Sequence, residues 1–171
     1  ALILDDEDRS VDFDELRALT NRMANLLAEC GVVRGERVGV LLPQRLETAV
    51  THIAALKAGA ISMPLSVLFG AEALAHRLSD SGARVVVTDA AGAERLAPLR
   101  SRLPDLRHVI SVDGGEALDL RDALPGQPDA FDPVDTHADD PAILIYTSGT
   151  TGNPKGALLA HRVLPGHLPG V

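Results

Sequence analysis

Residues 146 to 156 read Tyr-Thr-Ser-Gly-Thr-Thr-Gly-Asn-Pro-Lys-Gly, and their types and spacing suit the binding of an anion. Gly149, Gly152 and Gly156 permit tight and left-handed backbone turns and let amides approach a ligand closely. Thr147, Ser148, Thr150 and Thr151 carry hydroxyls that can donate to phosphate oxygens, and Lys155 supplies a positive charge. The run before them, Ala142 to Thr147, is almost continuously apolar and predicts a buried strand. Amides, hydroxyls and one lysine at the end of such a strand are the parts needed to hold a polyphosphate. Taken alone, the same residues also fit a polar hairpin between Tyr146 and Ala157, and composition leaves both readings open.

The charge distribution favours the anion site. The chain carries 24 acidic and 16 basic residues, a net charge of −8, yet Pro141 to Val171 contains no Asp or Glu while Lys155 and Arg162 give it +2. Other phosphate and nucleophile motifs do not fit. A Walker A loop needs Gly-Lys-Ser/Thr, whereas here Pro154 precedes Lys155 and Gly156 follows it. Ser148 lacks the G-x-S-x-G context of a nucleophile elbow, and nothing pairs it with His137 or His161 as a triad. The loop is assigned no covalent nucleophile.

The elements that must position this loop follow from periodicity. Asp12 with Glu15 three residues on resembles a capping box. Phe13, Leu16, Leu19, Met23, Leu26, Leu27 and Cys30 then recur at helical spacing, predicting an amphipathic helix over 13–30 that Gly31 terminates. A β-type run from Arg37 to Leu42 precedes a helix over 45–58, with Leu46, Ala49, Val50, Ile53 and Ala54 on its inner face and Gly59 closing it. Strands over 60–63, 83–88 and 107–112 alternate with helices over 71–80 and 91–103, the last interrupted by Pro98. Strand starts near 37, 60, 83 and 107 are the spacing of parallel strands connected by helices. The fold class is α/β: a layered sheet of largely parallel strands with flanking helices. Three regions are expected, an alternating helix/strand part over 1–124, a Pro/Asp-rich connection over 125–140, and a strand with the loop over 141–171.

Composition bounds the rest. With 171 residues, 46% of them hydrophobic, folding can bury about 70% of the unfolded surface without metal or disulfide support. The lone Cys30 forms no internal bridge, reads as core filler, and points to a reducing, cytoplasmic setting. No apolar run reaches the ~20 residues of a membrane span, and the acidic balance disfavours nucleic acid as a partner. No metal ligands are assigned. His52 and His76 read as surface or boundary groups on their helices, and Asp129, Asp132, Asp135, Asp139 and Asp140 lack an EF-hand pattern and read as a solvated connection. His161 is expected either to cap the element after the loop or to act as a ligand, and Pro165 to shorten a helix following the loop.

YTSGTTGNPKG resembles the signature phosphate loop of adenylate-forming enzymes, which include acyl-CoA synthetases, aryl-CoA ligases, luciferases and peptide-synthetase adenylation domains. The resemblance extends through VDFDEL, VGVLLPQ, AALKAGAISMPLSVLFGAEALAHRLSDSGARVVVTD and DDPAILIY. PLSVLFGAEALAHRLSDSGA and AHRVLPGHLPGV look most like bacterial acyl-CoA synthetases of the acetyl and medium-chain type. The resemblance implies a two-step reaction: a carboxylic acid attacks the α-phosphate of ATP, releasing pyrophosphate, and coenzyme A captures the acyl-adenylate as a thioester. It also implies that Thr147, Ser148, Gly149, Thr150, Thr151, Gly152 and Lys155 bind the nucleotide, with Lys155 stabilising the leaving group.

The same resemblance implies a much longer enzyme, of which these residues are an incomplete part of the large N-terminal domain. Positions for adenine, ribose, Mg2+ and the acyl group are expected outside them, and Ala1 in place of an initiator Met suggests a trimmed start. The chain alone is expected to be inactive. Two alternatives stand beside this reading: a non-catalytic nucleotide-binding or interaction module, and an adenylating enzyme that loads a carrier protein. The identity of the acid and the oligomeric state are not fixed by these residues.

Overall fold

The architecture comes from a computed structural model that describes residues 2–4, 9–147 and 153–166. Asp12 starts the first helix, α1 (Phe13–Glu29), by accepting a hydrogen bond from the Glu15 amide at 2.8 Å. Met23, Ala24, Leu26 and Leu27 form its buried stripe, and Gly31, at φ 79°, provides the left-handed exit that lets the chain reverse. Phe13, expected in that stripe, is instead 77% exposed. It is the first helical residue, and the stripe meets the core only from Leu16 onward.

Two short strands, β1 (Leu2–Leu4) and β2 (Arg9–Val11), pair antiparallel as a small separate sheet. The main sheet contains β3 (Arg37–Leu41), β4 (Ile61–Pro64), β5 (Val85–Thr88), β6 (His108–Ser111), β7 (Leu118–Asp119), β8 (Pro141–Thr147) and β9 (Lys155–Ala160). Its order is β7-β6-β5-β3-β4-β8-β9. Every adjacent pair is parallel except β8 and β9, which run antiparallel. The connections are α2 (Leu46–Lys57), α3 (Ala71–Ser81) and α4 (Ala90–Leu96), the last continuing as a 3-10 segment over Ala97–Arg102. Pro98 opens that segment, where its missing N–H is not needed.

The central strands bury both faces. Val38, Val40, Val85, Val87 and Ile110 face α1 and α2, while Leu41, Met63 and Val86 face α3 and α4. A parallel sheet covered on both sides requires such unbroken apolar runs, which explains the Val85-Val86-Val87 triplet of β5. Residues 125–140 then carry the chain back across the α1/α2 layer, from the β6–β7 edge to the β4 edge. They are mostly exposed but tethered: the Asn21 side chain donates to the Asp129 carbonyl at 2.8 Å, and Asn25 to the carbonyls of Pro128 and Ala130 at 2.9 and 3.0 Å. The Val134 amide donates to the Lys57 carbonyl, and Phe131 packs on the core.

Candidate functional site

Strand β8 lies beside β4 with Ile143 opposite Ser62. Since β4 ends at Pro64, Tyr146 and Thr147 run past the carboxyl edge of the parallel strands, the side on which open α/β sheets bind ligands. Strand β9 returns antiparallel, pairing Tyr146 with Gly156 and Thr147 with Lys155. Of the sequence-predicted site residues, Thr147 and Lys155 are thereby brought together as exposed cross-strand partners at the mouth of a hairpin. Ser148, Gly149, Thr150, Thr151 and Gly152 lie outside the described residues. The hairpin and the anion loop are therefore compatible readings, because the hairpin is what presents the loop.

Two expectations are corrected here. First, β8 is not a buried strand: of its residues only Ala142 is buried, and Ile145 is 38% exposed. Leu144 and Tyr146 pack toward the α3 layer, but β8 lies near the margin of the sheet, where among the described residues β9 is its one neighbour beyond β4. Second, a strand rather than a helix follows the loop. Lys155-Gly156-Ala157-Leu158-Leu159-Ala160 contains good helix formers, yet ladder pairing with β8 overrides local propensity. Among the described residues the only helix after it is α6 (Val163–Gly166), with Pro165 in its single turn; α5 is the equally short Leu120–Ala123.

Helix α3 underlies the hairpin. The Tyr146 hydroxyl donates to Asp80 Oδ2 at 2.6 Å, and His76 Nε2 lies 3.0 Å from the Pro154 carbonyl. A carbonyl can only accept, so His76 carries a proton on Nε2. The Arg77 guanidinium sits 4.0 Å from the centre of the Phe69 ring and 5.7 Å from that of Tyr146, while Nη1 donates to the Ala73 carbonyl at 2.9 Å. Gly156 is bare for a reason: a Cβ there would lie 2.9 Å from Leu144 Cδ1 and 3.5 Å from Tyr146 Cζ, where the tyrosine ring crosses the hairpin. Burial, and then the bond to Asp80, push the Tyr146 hydroxyl well above the usual phenol range, so it remains a donor.

Sequence reasoning missed Tyr146 and Asp80 and read His76 as a boundary group. The four-residue spacing of His76 and Asp80 was a signal that they share a helix face, but their partners lie 78 and 66 residues away. His52 is half-buried, with Nδ1 2.6 Å from Ser62 Oγ, and burial lowers its pKa. His161 caps nothing through its side chain: its backbone amide donates to the Asp140 carbonyl, and its Nε2 is buried without a partner among the described residues. In the acidic connection, Asp140 pairs with Arg34 at 2.5 Å and Asp139 pairs with Arg162. Among the described residues no group of three His, Cys, Asp or Glu side chains could hold a metal ion, and no helix is long and apolar enough to cross a membrane.

The model of the AMP-binding enzyme family matches residues 1–165. A long-chain-fatty-acid–CoA ligase of Mycobacterium tuberculosis is 33% identical over 156 residues, covering 90% of this chain and 30% of the relative. An acetyl-coenzyme A synthetase of Novosphingobium aromaticivorans is 34% identical over 172 residues, covering 90% and 26%, respectively. Among solved structures, an anthranilate CoA ligase in complex with anthranoyl-AMP superimposes with a TM-score of 0.89 at 29% identity, over 95% of this chain and 31% of that one. The chain thus spans about a third or less of the length of these relatives. With a family match over nearly all its residues and a sheet of the same architecture, the chain belongs to the AMP-binding enzyme family.

Proposed function

We propose that this chain is the phosphate-loop part of an ATP-dependent acyl-CoA synthetase, with residues 1–124 as scaffold, 125–140 as connection and 141–171 bearing the loop. The observation that carries the reading is the Thr147–Lys155 pair, held at the carboxyl edge of the sheet and closing a Ser/Thr/Gly segment with no acidic side chain. In the proposed reaction a carboxylic acid attacks the α-phosphate of ATP, the bond to the β-phosphate breaks, pyrophosphate leaves, and the thiol of coenzyme A then displaces AMP from the acyl-adenylate. Charge builds on the departing phosphates, and fixed donors there lower the barrier. Lys155 supplies the positive charge; the hydroxyls of Thr147, Ser148, Thr150 and Thr151 donate; Gly149 and Gly152 let the backbone close on the nucleotide.

Mg2+ accompanying the triphosphate would take its protein ligands from other residues. Relatives named as CoA ligases support coenzyme A rather than a carrier protein as the acyl acceptor. The single, buried Cys30 fits a reducing cytoplasm. The test is ATP–pyrophosphate exchange by the full-length protein with carboxylic acids of increasing chain length. Lys155→Ala should lose roughly 1.5 to 3 kcal/mol of charge-assisted bonding, about 10- to 100-fold in rate. Exchange unaffected by that substitution would refute the role of the lysine.

A further inference from the structure

The reaction leaves Asp80 and His76 without a part, although each holds one stem of the loop. We infer that α3 is a brace: Asp80, through Tyr146, and His76, through Pro154, fix the separation and direction of the two stems, and so act as positioning residues for the triphosphate. The inference rests on the functional reading above and assigns work to side chains that do not touch the nucleotide.

The placement of the bonds is the argument. Tyr146 immediately precedes Thr147, and Pro154 immediately precedes Lys155, so each tie lands next to a member of the pair at the hairpin mouth. The ties come from opposite strands but end on one helix, a single turn apart. They act beyond Pro64, where β4 no longer flanks β8 and where, apart from these ties and the packing of Tyr146, only the ladder holds the stems. Pro154 has no N–H, so its carbonyl is the one backbone group with which it can be fixed, and His76 takes it. Asp80 places a carboxylate near a proposed polyphosphate site, an unfavourable location. It is offset by the Tyr146 hydroxyl, with the Arg77 guanidinium on the face of the same ring. A bond of this kind at a half-exposed edge adds little to global stability, whereas a lysine displaced by about 1 Å can lose a large factor in rate.

The experiment measures pyrophosphate exchange by the full-length protein, once at varied ATP with saturating acid and once at varied acid with saturating ATP, beside thermal unfolding. His76→Ala and Tyr146→Phe should each raise KM for ATP by about 5- to 20-fold while leaving KM for the acid and Tm nearly unchanged. His76→Gln, which retains a donor, should restore most of the loss. Arg121→Ala, paired with Asp119 at the β7 edge and so at the opposite end of the sheet from the stems, should change neither KM. The brace is overturned if ATP and acid constants move together, if only Tm moves, or if glutamine fails to rescue. If the unaltered protein exchanges pyrophosphate with no acid at all, the functional reading fails, and hydrogen exchange over residues 147–156 decides the brace on its own. His76→Ala should then speed those amides by about tenfold relative to Arg121→Ala, and equal rates would sink it.

Discussion

Val85, Val86 and Val87 of β5 are fully buried, whereas Ile145 and Leu158 of the hairpin are 38% and 55% exposed, although both regions belong to one sheet. The parallel part is held by apolar layers on both faces, and its residues are fixed by many neighbours at once. The hairpin is held by its own ladder, by Leu144 and Tyr146 on the α3 layer, and by the two polar ties to α3. The difference teaches that stability and candidate chemistry occupy different strands. A change of volume in the core is costly, while the described part of the hairpin presents Thr147 and Lys155 to solvent.

The largest expected effect tests the core. Leu41 of β3 is fully buried against α3 and α4, and Leu41→Ala should cost about 2 to 5 kcal/mol, read as a lower urea midpoint or Tm. Exchange activity per folded molecule should persist. Lys155→Ala is the opposite case, with Tm within a degree or two of the parent and activity down about 10- to 100-fold. If Leu41→Ala abolished activity while still folded, or Lys155→Ala unfolded the protein, the two regions would not be separable.

Gly156→Ala lies between them. Its Cβ would press on Leu144 Cδ1, the end of a flexible side chain, and only touch the Tyr146 ring at ordinary contact distance. The expected cost in stability is about 1 kcal/mol or less as Leu144 Cδ1 shifts aside, with a loss of exchange activity smaller than that of Lys155→Ala. A drop in Tm as large as that of Leu41→Ala would mean that the hairpin is part of the cooperative core.

The core was the legible part. Strand starts expected near 37, 60, 83 and 107 are observed at Arg37, Ile61, Val85 and His108, because valine-rich runs bounded by Gly, Pro and Asp are decided by local sequence. The Asp12 cap and the break before Pro98 were legible for the same reason. The hairpin stems were not. Lys155–Ala160 is a strand only because β8 pairs with it, and the exposure of Ile145 follows from its place near the sheet edge, which no local pattern encodes. The chemistry-bearing residues were recognisable by type, but Asp80 and His76 acquire meaning only through partners more than 60 residues away.

The smallest effect concerns the seam between the two regions. Ser62 of β4 faces Ile143 of the hairpin across the ladder, and its hydroxyl is tied to His52 of α2. Burial lowers the His52 pKa below its ordinary value of 6.5, so the unfolded chain binds this proton more readily than the folded one. Stability from this group is therefore complete above pH 6.5 and declines as the pH falls below it, with a slope of at most about 1.4 kcal/mol per pH unit. The informative quantity is the difference between the parent and His52→Gln in urea unfolding from pH 7.5 to 5.5. The parent should lose stability more steeply on acidification. Parallel curves would show that His52 is as freely protonated in the fold as outside it, and that the seam is wet like the hairpin rather than dry like the core.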